Sequence, residues 1–140
     1  MRIRVLVPVL AAITVGAVVT APTATAVPDP TDSPRQAIAR AYVDALVSHD
    51  SSAVQFTPDA KRFENGLQTG TSGPQLKNDL ATGLQYRVIR GVRDLTLTEI
   101  GTTVTARFLM DTVAPTVFVS ETIEVPTDAI SLLVADIKPA

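Results

Sequence analysis

The chain has 140 residues, a formal net charge of −2 and no cysteine, so neither a disulfide nor acylation at an N-terminal cysteine can form. It has no basic stretch with interleaved aromatic residues, which disfavours nucleic acid as a partner. With one histidine and no acidic cluster at calcium-loop spacing, a metal site is not expected either.

The first 26 residues have the three-part form of a secretory signal. Arg2 and Arg4 give a positive start, an apolar run extends from Val5 to Val19, and Ala24 to Ala26 offer a small-residue cleavage site. The run has 15 residues, fewer than the roughly 20 that span a membrane. We therefore predict a secreted, extracellular protein with no stable membrane span. Loss of the two arginines would leave 10 basic against 14 acidic residues, a net charge of −4.

The organisation after the signal indicates a short flexible lead, residues 27–32, and a single domain, residues 33–140. Ser33, Pro34 and Gln36 form a capping box with proline at the first helical position, which predicts a helix from here to about Ser48. A short second helix is predicted at Ala53 to Phe56, with one short strand after it.

Another helix is predicted after Ser72, because Ser72 and Gln75 repeat the capping pattern and Gly83 is a natural terminator. The periodicity then changes from helical to alternating, which is typical of strands. Three segments alternate, Leu95 to Glu99, Thr103 to Asp111 and Val117 to Val125, and a fourth strand is predicted at Ala129 to Ile137. The last is apolar on both faces and is predicted to be central. Helices followed by antiparallel strands indicate an α+β fold, with the helices on one face of a curved sheet.

A carboxylate interrupts the apolar face of the strand from Val117 to Val125. Glu121 shares its parity with the four apolar residues Val117, Val119, Ile123 and Val125. An unpaired buried carboxylate usually becomes neutral or finds a partner. Glu121 is therefore either a neutral hydrogen-bond donor in an apolar site, or lies near a sheet edge or pairs with an arginine such as Arg107 or Arg90.

Three segments resemble the nuclear transport factor 2-like (NTF2-like) superfamily, in particular its SnoaL-like and ketosteroid-isomerase-like branches. They are "AYVDALVSHDSSAV", "DAKRFENG" and the glycine-rich "LQTGTSG", followed by alternating strands. The "ENG" form is also similar to an uncharacterised secreted family found in actinobacteria and fungi. The resemblance covers nearly all of residues 33–139, and it implies a cone-shaped α+β fold enclosing an apolar pocket.

The same resemblance implies three candidate catalytic residues. Tyr42 matches an oxyanion donor of the steroid isomerases, Glu64 their general base and Glu121 their protonated acid. Both acids are glutamate where those enzymes have aspartate. Two of them also have a simpler structural interpretation: Tyr42 is a core aromatic, and Glu64 is the partner of Arg62 on a solvated face if Phe63 marks the core side of that strand.

Three functions remain open. The first is a pocket that binds an unknown small apolar molecule without catalysis. The second is an isomerase, cyclase or dehydratase acting next to a carbonyl through Glu64, Tyr42 and Glu121. The third is a homodimeric interaction module, with Leu109 and Phe118 as contacts. No cofactor is expected, because the glycines of "ENGLQTGTSG" lack the strand-to-helix phosphate-binding pattern.

Overall fold

The computed structural model describes residues 28–140, so the predicted signal peptide and its cleavage site lie outside the described residues. Two α-helices, one 3₁₀ turn and six strands follow in the order α1 (Pro34–Ser48), β1 (Phe56–Glu64), β2 (Leu67–Gly70), α2 (Gly73–Thr82), the 3₁₀ turn (Leu84–Tyr86), β3 (Ile89–Ile100), β4 (Thr103–Thr112), β5 (Val117–Glu124) and β6 (Ile130–Pro139).

The six strands form one sheet in the order β2-β1-β6-β5-β4-β3. Neighbouring strands are antiparallel except β1 and β6, which are parallel. Helix α1 packs over β3 and β4, and α2 packs against β1. The predicted α+β fold with a curved, mostly antiparallel sheet is therefore confirmed, and so is the central position of the last strand.

Helix α1 begins and ends with local signals. The Ser33 hydroxyl accepts from the Gln36 backbone N–H, and the Gln36 side chain accepts from the Ser33 N–H in return. At the other end His49 adopts a left-handed conformation, with φ of 59°, and its backbone N–H donates to the Ala45 carbonyl. The buried face presents Tyr42 and Leu46 to the sheet.

The segment between α1 and β1 differs from the prediction. The proposed short helix at Ala53 to Phe56 is wrong: the Val54 N–H donates to the Ser51 carbonyl in a turn, and Phe56 already begins β1. Val54 is buried, so this apolar side chain packs in the core although its backbone is not helical.

The single strand predicted before α2 is instead the β1–β2 hairpin. Asn65 and Gly66, with φ of 47° and 83°, form its two-residue turn, a conformation that Asn-Gly favours because both residues tolerate positive φ. The Asn65 side-chain oxygen accepts from the Ile137 N–H at 2.8 Å, and the Asn65 N–H donates to the Ala135 carbonyl at 2.9 Å. The "ENG" motif thus connects this hairpin to β6.

The two faces of the sheet differ in character. The face toward α1 carries the core, with Val104, Phe108 and Ile123 almost fully buried. Leu109 and Phe118 are register partners on the outer face, where Phe118 is exposed. The homodimer for which they were predicted contacts stays a prediction.

Candidate functional site

A cavity of about 240 Å³ lies between the sheet, the 3₁₀ turn and the end of α1. Apolar side chains from α1, β3, β4, β5 and β6 form most of its wall. The polar lining residues are Arg62, Glu64, Gln85, Tyr86, Thr112 and Glu121. The cavity therefore has an apolar body and one charged wall.

Glu121 lies in this wall because of the alternation of β5. It is 1% exposed, and Val119 and Ile123 on either side of it in the same row are also buried. Its register partners on the flanking strands are Ala106 and Ala135, whose small side chains leave room for a carboxyl group in the middle of the sheet. Burial of Glu121 is confirmed.

Tyr42 holds one oxygen of that carboxyl. Its hydroxyl donates to Glu121 Oε1 at 3.0 Å, and the bond is buried. Tyr42 itself packs edge-on against Phe56 and is not part of the cavity lining. Of the three candidate catalytic residues, Glu64 and Glu121 line the cavity, while Tyr42 supports Glu121 from behind.

The positive partner of Glu121 is Arg62. Its Nε lies 3.9 Å from Glu121 Oε1, and its side chain is 9% exposed. The suggested partners Arg107 and Arg90 are wrong, because both are exposed. Arg62 also lies over the Tyr86 ring, with 5.9 Å between its Cζ and the ring centroid, a cation–π distance.

Glu64 forms the second ion pair of Arg62. Arg62 Nη1 lies 2.6 Å from Glu64 Oε2 and donates to the Thr69 hydroxyl at 3.0 Å. This pair was predicted on a solvated face, with Phe63 on the core side. The structure instead buries Ala60 and Arg62 on the interior side of β1, so the pair belongs to the cavity wall, and the Glu64 side chain is 37% exposed.

Burial and the neighbouring charges both shift the pKa values of Glu121, Tyr42 and Arg62. Burial raises the pKa of Glu121 above its ordinary value; Arg62 and the Tyr42 hydrogen bond partly offset this, and Glu64 adds to it. Burial also raises the pKa of Tyr42. Burial by itself would lower the pKa of Arg62. The neighbouring Tyr42 and Glu121 raise it, and the net pKa lies above the ordinary value of arginine, so the guanidinium stays charged.

One donor of Arg62, in the cavity wall, has no hydrogen-bond partner within residues 28–140. Nε is buried and makes no hydrogen bond within residues 28–140, since 3.9 Å to Glu121 exceeds hydrogen-bond distance. A buried unsatisfied N–H costs free energy. The gap between Arg62 and Glu121 is therefore suited to an oxygen atom that accepts from Nε.

The part of the chain that the structure describes holds no group of three or more potential metal-ligating side chains. No helix within that same range is long and apolar enough to cross a bilayer.

Comparison with solved structures identifies the architecture. An NTF2-like protein of unknown function from Cytophaga hutchinsonii has a TM-score of 0.63 at 12% identity, covering 79% of this chain and 96% of that one. A protein from Sphaerobacter thermophilus has a TM-score of 0.60 at 15% identity, with 74% and 95% covered. An LEH-like epoxide hydrolase from M. tuberculosis has a TM-score of 0.59 at 17% identity, with 75% and 83% covered. The chain has an NTF2-like fold.

The family follows from the sequence. The model of a domain of unknown function, DUF8021, matches residues 29–137. The chain belongs to this family. No curated protein matches it significantly.

Proposed function

We propose that the protein is exported and binds a small, neutral, mostly apolar molecule in the cavity, with one oxygen of that molecule at Arg62 and Glu121. The observation that carries this proposal is the burial of these two ionisable side chains at one wall of an apolar cavity. Replacing a buried ion pair by apolar residues is often neutral or stabilising. Stability alone therefore gives little reason to keep both charges, whereas recognition of a polar group does.

The cavity limits the size and charge of the ligand. Its volume of about 240 Å³ is below the roughly 300–1,000 Å³ of drug-sized ligand sites, so one or two rings fit. Arg62 disfavours a cation in the cavity, and Glu64 and Glu121 disfavour an anion. A neutral hydroxyl, carbonyl or ether oxygen can accept from Arg62 Nε, and it can also accept from Glu121 when that carboxyl is protonated.

A second candidate function is acid–base catalysis on such a molecule. One guanidinium contacts both Glu64 and Glu121, and burial raises the pKa of Glu121. Glu121 would then serve as the acid and ion-paired Glu64 as the base. Hydration of an epoxide needs such a pair, and so do isomerisation, cyclisation and dehydration next to a carbonyl. Epoxide hydration is the reaction that the LEH-like epoxide hydrolase of the same fold supports.

The binding proposal is tested with 2-naphthol, which has two apolar rings and one hydroxyl, and with naphthalene, which lacks the hydroxyl. We expect the protein to bind 2-naphthol more tightly, and the double variant Arg62→Met/Glu121→Leu, which takes away both donors, to remove that preference. Val117→Trp, in the cavity lining, should abolish binding of both probes. The matched control Phe118→Trp, one residue along on the outer face, should leave binding unchanged. Equal affinity for the two probes, or full binding by Val117→Trp, would contradict the proposal.

Catalysis is tested separately with styrene oxide, an apolar epoxide of one ring. Glu64→Gln should keep 2-naphthol binding, because the amide preserves the size of the side chain, and lose the hydrolysis of the epoxide. If the wild-type protein binds 2-naphthol but shows no turnover of styrene oxide, epoxide hydration is excluded and binding stands.

A further inference from the structure

The mouth of the cavity can be located from the exposure of its lining. Gln85 and Val88 are the exposed lining residues, and the half-buried ones are Glu64, Met110, Thr112, Val117 and Ile137. The opening therefore lies between the 3₁₀ turn, the start of β3 and the ends of the other strands. Four of these seven side chains at its rim are apolar.

Exposed apolar side chains extend from this rim onto the surrounding surface. Leu84 is 74% exposed, Val88 42% and Val113 58%. The Val113 N–H donates to the Val88 carbonyl at 2.8 Å, so the turn after β4 lies beside the residue that precedes β3. A group of large exposed apolar side chains marks an interaction surface. We refer to Leu84, Val88 and Val113 as the apolar rim.

Positive charge flanks the apolar rim. Arg87 and Arg90 are exposed on either side of Val88 and its buried neighbour Ile89, and neither forms a salt bridge within residues 28–140. The next arginine, Arg93, is neutralised by Asp111. The chain as a whole is acidic, so this positive region is local to the mouth.

We propose that the apolar rim, with Arg87 and Arg90, docks on an anionic lipid bilayer. Aliphatic side chains insert at the boundary of headgroups and acyl chains, while arginines contact lipid phosphates. The apolar rim consists of one leucine and two valines and includes no aromatic side chain, although aromatic anchors are the usual centre of a protein interface. Docking would bring the mouth of the cavity onto the bilayer, so that an apolar ligand could pass between them without crossing water. This last consequence rests on the proposed function; the docking itself does not.

The experiment mixes vesicles with residues 27–140, the chain that remains once the predicted signal is removed. Vesicles are made of phosphatidylcholine alone or of phosphatidylcholine with phosphatidylglycerol, and bound protein is measured by co-sedimentation. We expect binding to the anionic vesicles that weakens with salt. Arg87→Gln and Arg90→Gln should each weaken it roughly fivefold, because a basic residue near such a surface contributes about 1 kcal/mol. The double variant Leu84→Ser/Val88→Ser should weaken it further.

Two matched controls lie away from the mouth. Ile100 is 84% exposed at the far end of β3, about 35 Å along the strand from Ile89 at about 3.3 Å per residue. Arg107 is exposed on the outer face of β4. Ile100→Ser and Arg107→Gln should leave vesicle binding unchanged. The double variant Arg62→Met/Glu121→Leu, which changes two buried side chains of the cavity wall and leaves the apolar rim intact, should also keep vesicle binding, so the failure of docking and the failure of ligand recognition are distinguishable.

Three outcomes would overturn the proposal. These are no binding to anionic vesicles, equal binding to both vesicle types, or equal losses in the control and rim variants. Size measurements give a further check: if the protein is a dimer that Leu84→Ser/Val88→Ser dissociates, the apolar rim belongs to self-association instead.

Discussion

The Tyr42 hydroxyl donates to Glu121 Oε1 at 3.0 Å, which connects the first helix to the fifth strand across 79 positions of sequence. Both side chains are 1% exposed. The bond occupies one carboxyl oxygen of a residue that lines the cavity, so Tyr42 orients the Glu121 carboxyl without facing the cavity itself.

Tyr42→Phe tests this relationship, because it removes the hydroxyl and keeps the ring. We expect the free energy of unfolding to fall by about 1–3 kcal/mol, since a buried acceptor loses its donor. The pKa of Glu121 should rise in the variant, because the hydrogen bond from Tyr42 lowers it in the wild type. Urea denaturation and NMR titration of the Glu121 carboxyl measure the two effects. An unchanged Glu121 pKa would contradict the assigned bond, and Tyr86→Phe is the control.

Glu121 should make the stability of the protein depend on pH. Burial raises its pKa in the folded state above the ordinary 4.5, so the folded state holds the proton more tightly than the unfolded state. This stabilisation is fully present below pH 4.5 and is lost as pH rises through the folded-state pKa. Free energies of unfolding are measured against pH for the wild type and Glu121→Gln. In Glu121→Gln the free energy of unfolding should not decline in this way as pH rises. Parallel curves for the variant and the wild type would show that Glu121 does not cause the decline.

Arg62→Met should be strongly destabilising. It leaves Glu121 buried without its positive neighbour and Glu64 without its 2.6 Å partner, for which a loss of about 3–5 kcal/mol is typical. The double variant Arg62→Met/Glu121→Leu should recover much of the loss, as both buried charges are gone. The control Arg93→Met breaks an exposed pair with Asp111 and should cost far less. Urea denaturation measures all three, and additive losses in the double variant would contradict the coupling.

Gly66→Ala should weaken the β1–β2 hairpin through the backbone alone. At Gly66 φ is 83° and a Cβ would meet nothing within 4 Å, so the cost is that of a left-handed conformation, about 1 kcal/mol. Gly91→Ala is the matched control, because φ there is not left-handed and a Cβ would make an ordinary contact, 3.9 Å from Asp111 Oδ2. Thermal unfolding should separate the two variants, and equal melting temperatures would contradict the turn assignment.

Local sequence patterns correctly predicted the helix starts and the alternation of β5, which depend on residues close together in the chain. The serine-to-glutamine patterns at Ser33 and Ser72 correctly placed the starts of α1 and α2, and the first of them forms a full capping box. Two-residue alternation correctly buried Glu121, because β5 pairs with β4 and β6 without a register shift. The short helix at Ala53 to Phe56 was wrong, because the same apolar residues also suit a turn followed by a strand.

Arg62 shows where such patterns stop being informative. The register of β1 shifts between Phe56 and Lys61 against β6, and again between Arg62 and Phe63 against β2. Alternation counted from Phe63 therefore does not identify the interior face. The choice of Arg62 over Arg107 or Arg90 as the partner of Glu121 likewise depends on the parallel pairing of β1 with β6, which has no local signal.

The amino-acid order alone was enough to predict the fold class, the main helices and strands, and one acidic side chain inside the sheet, because these follow from contacts between residues near in sequence and from the alternation of strands. The pairing of distant strands decided which cation meets that acid, that Glu64 lies at the cavity, and that Tyr42 is behind it. Those contacts join residues far apart in the chain, so only the folded arrangement brings them together.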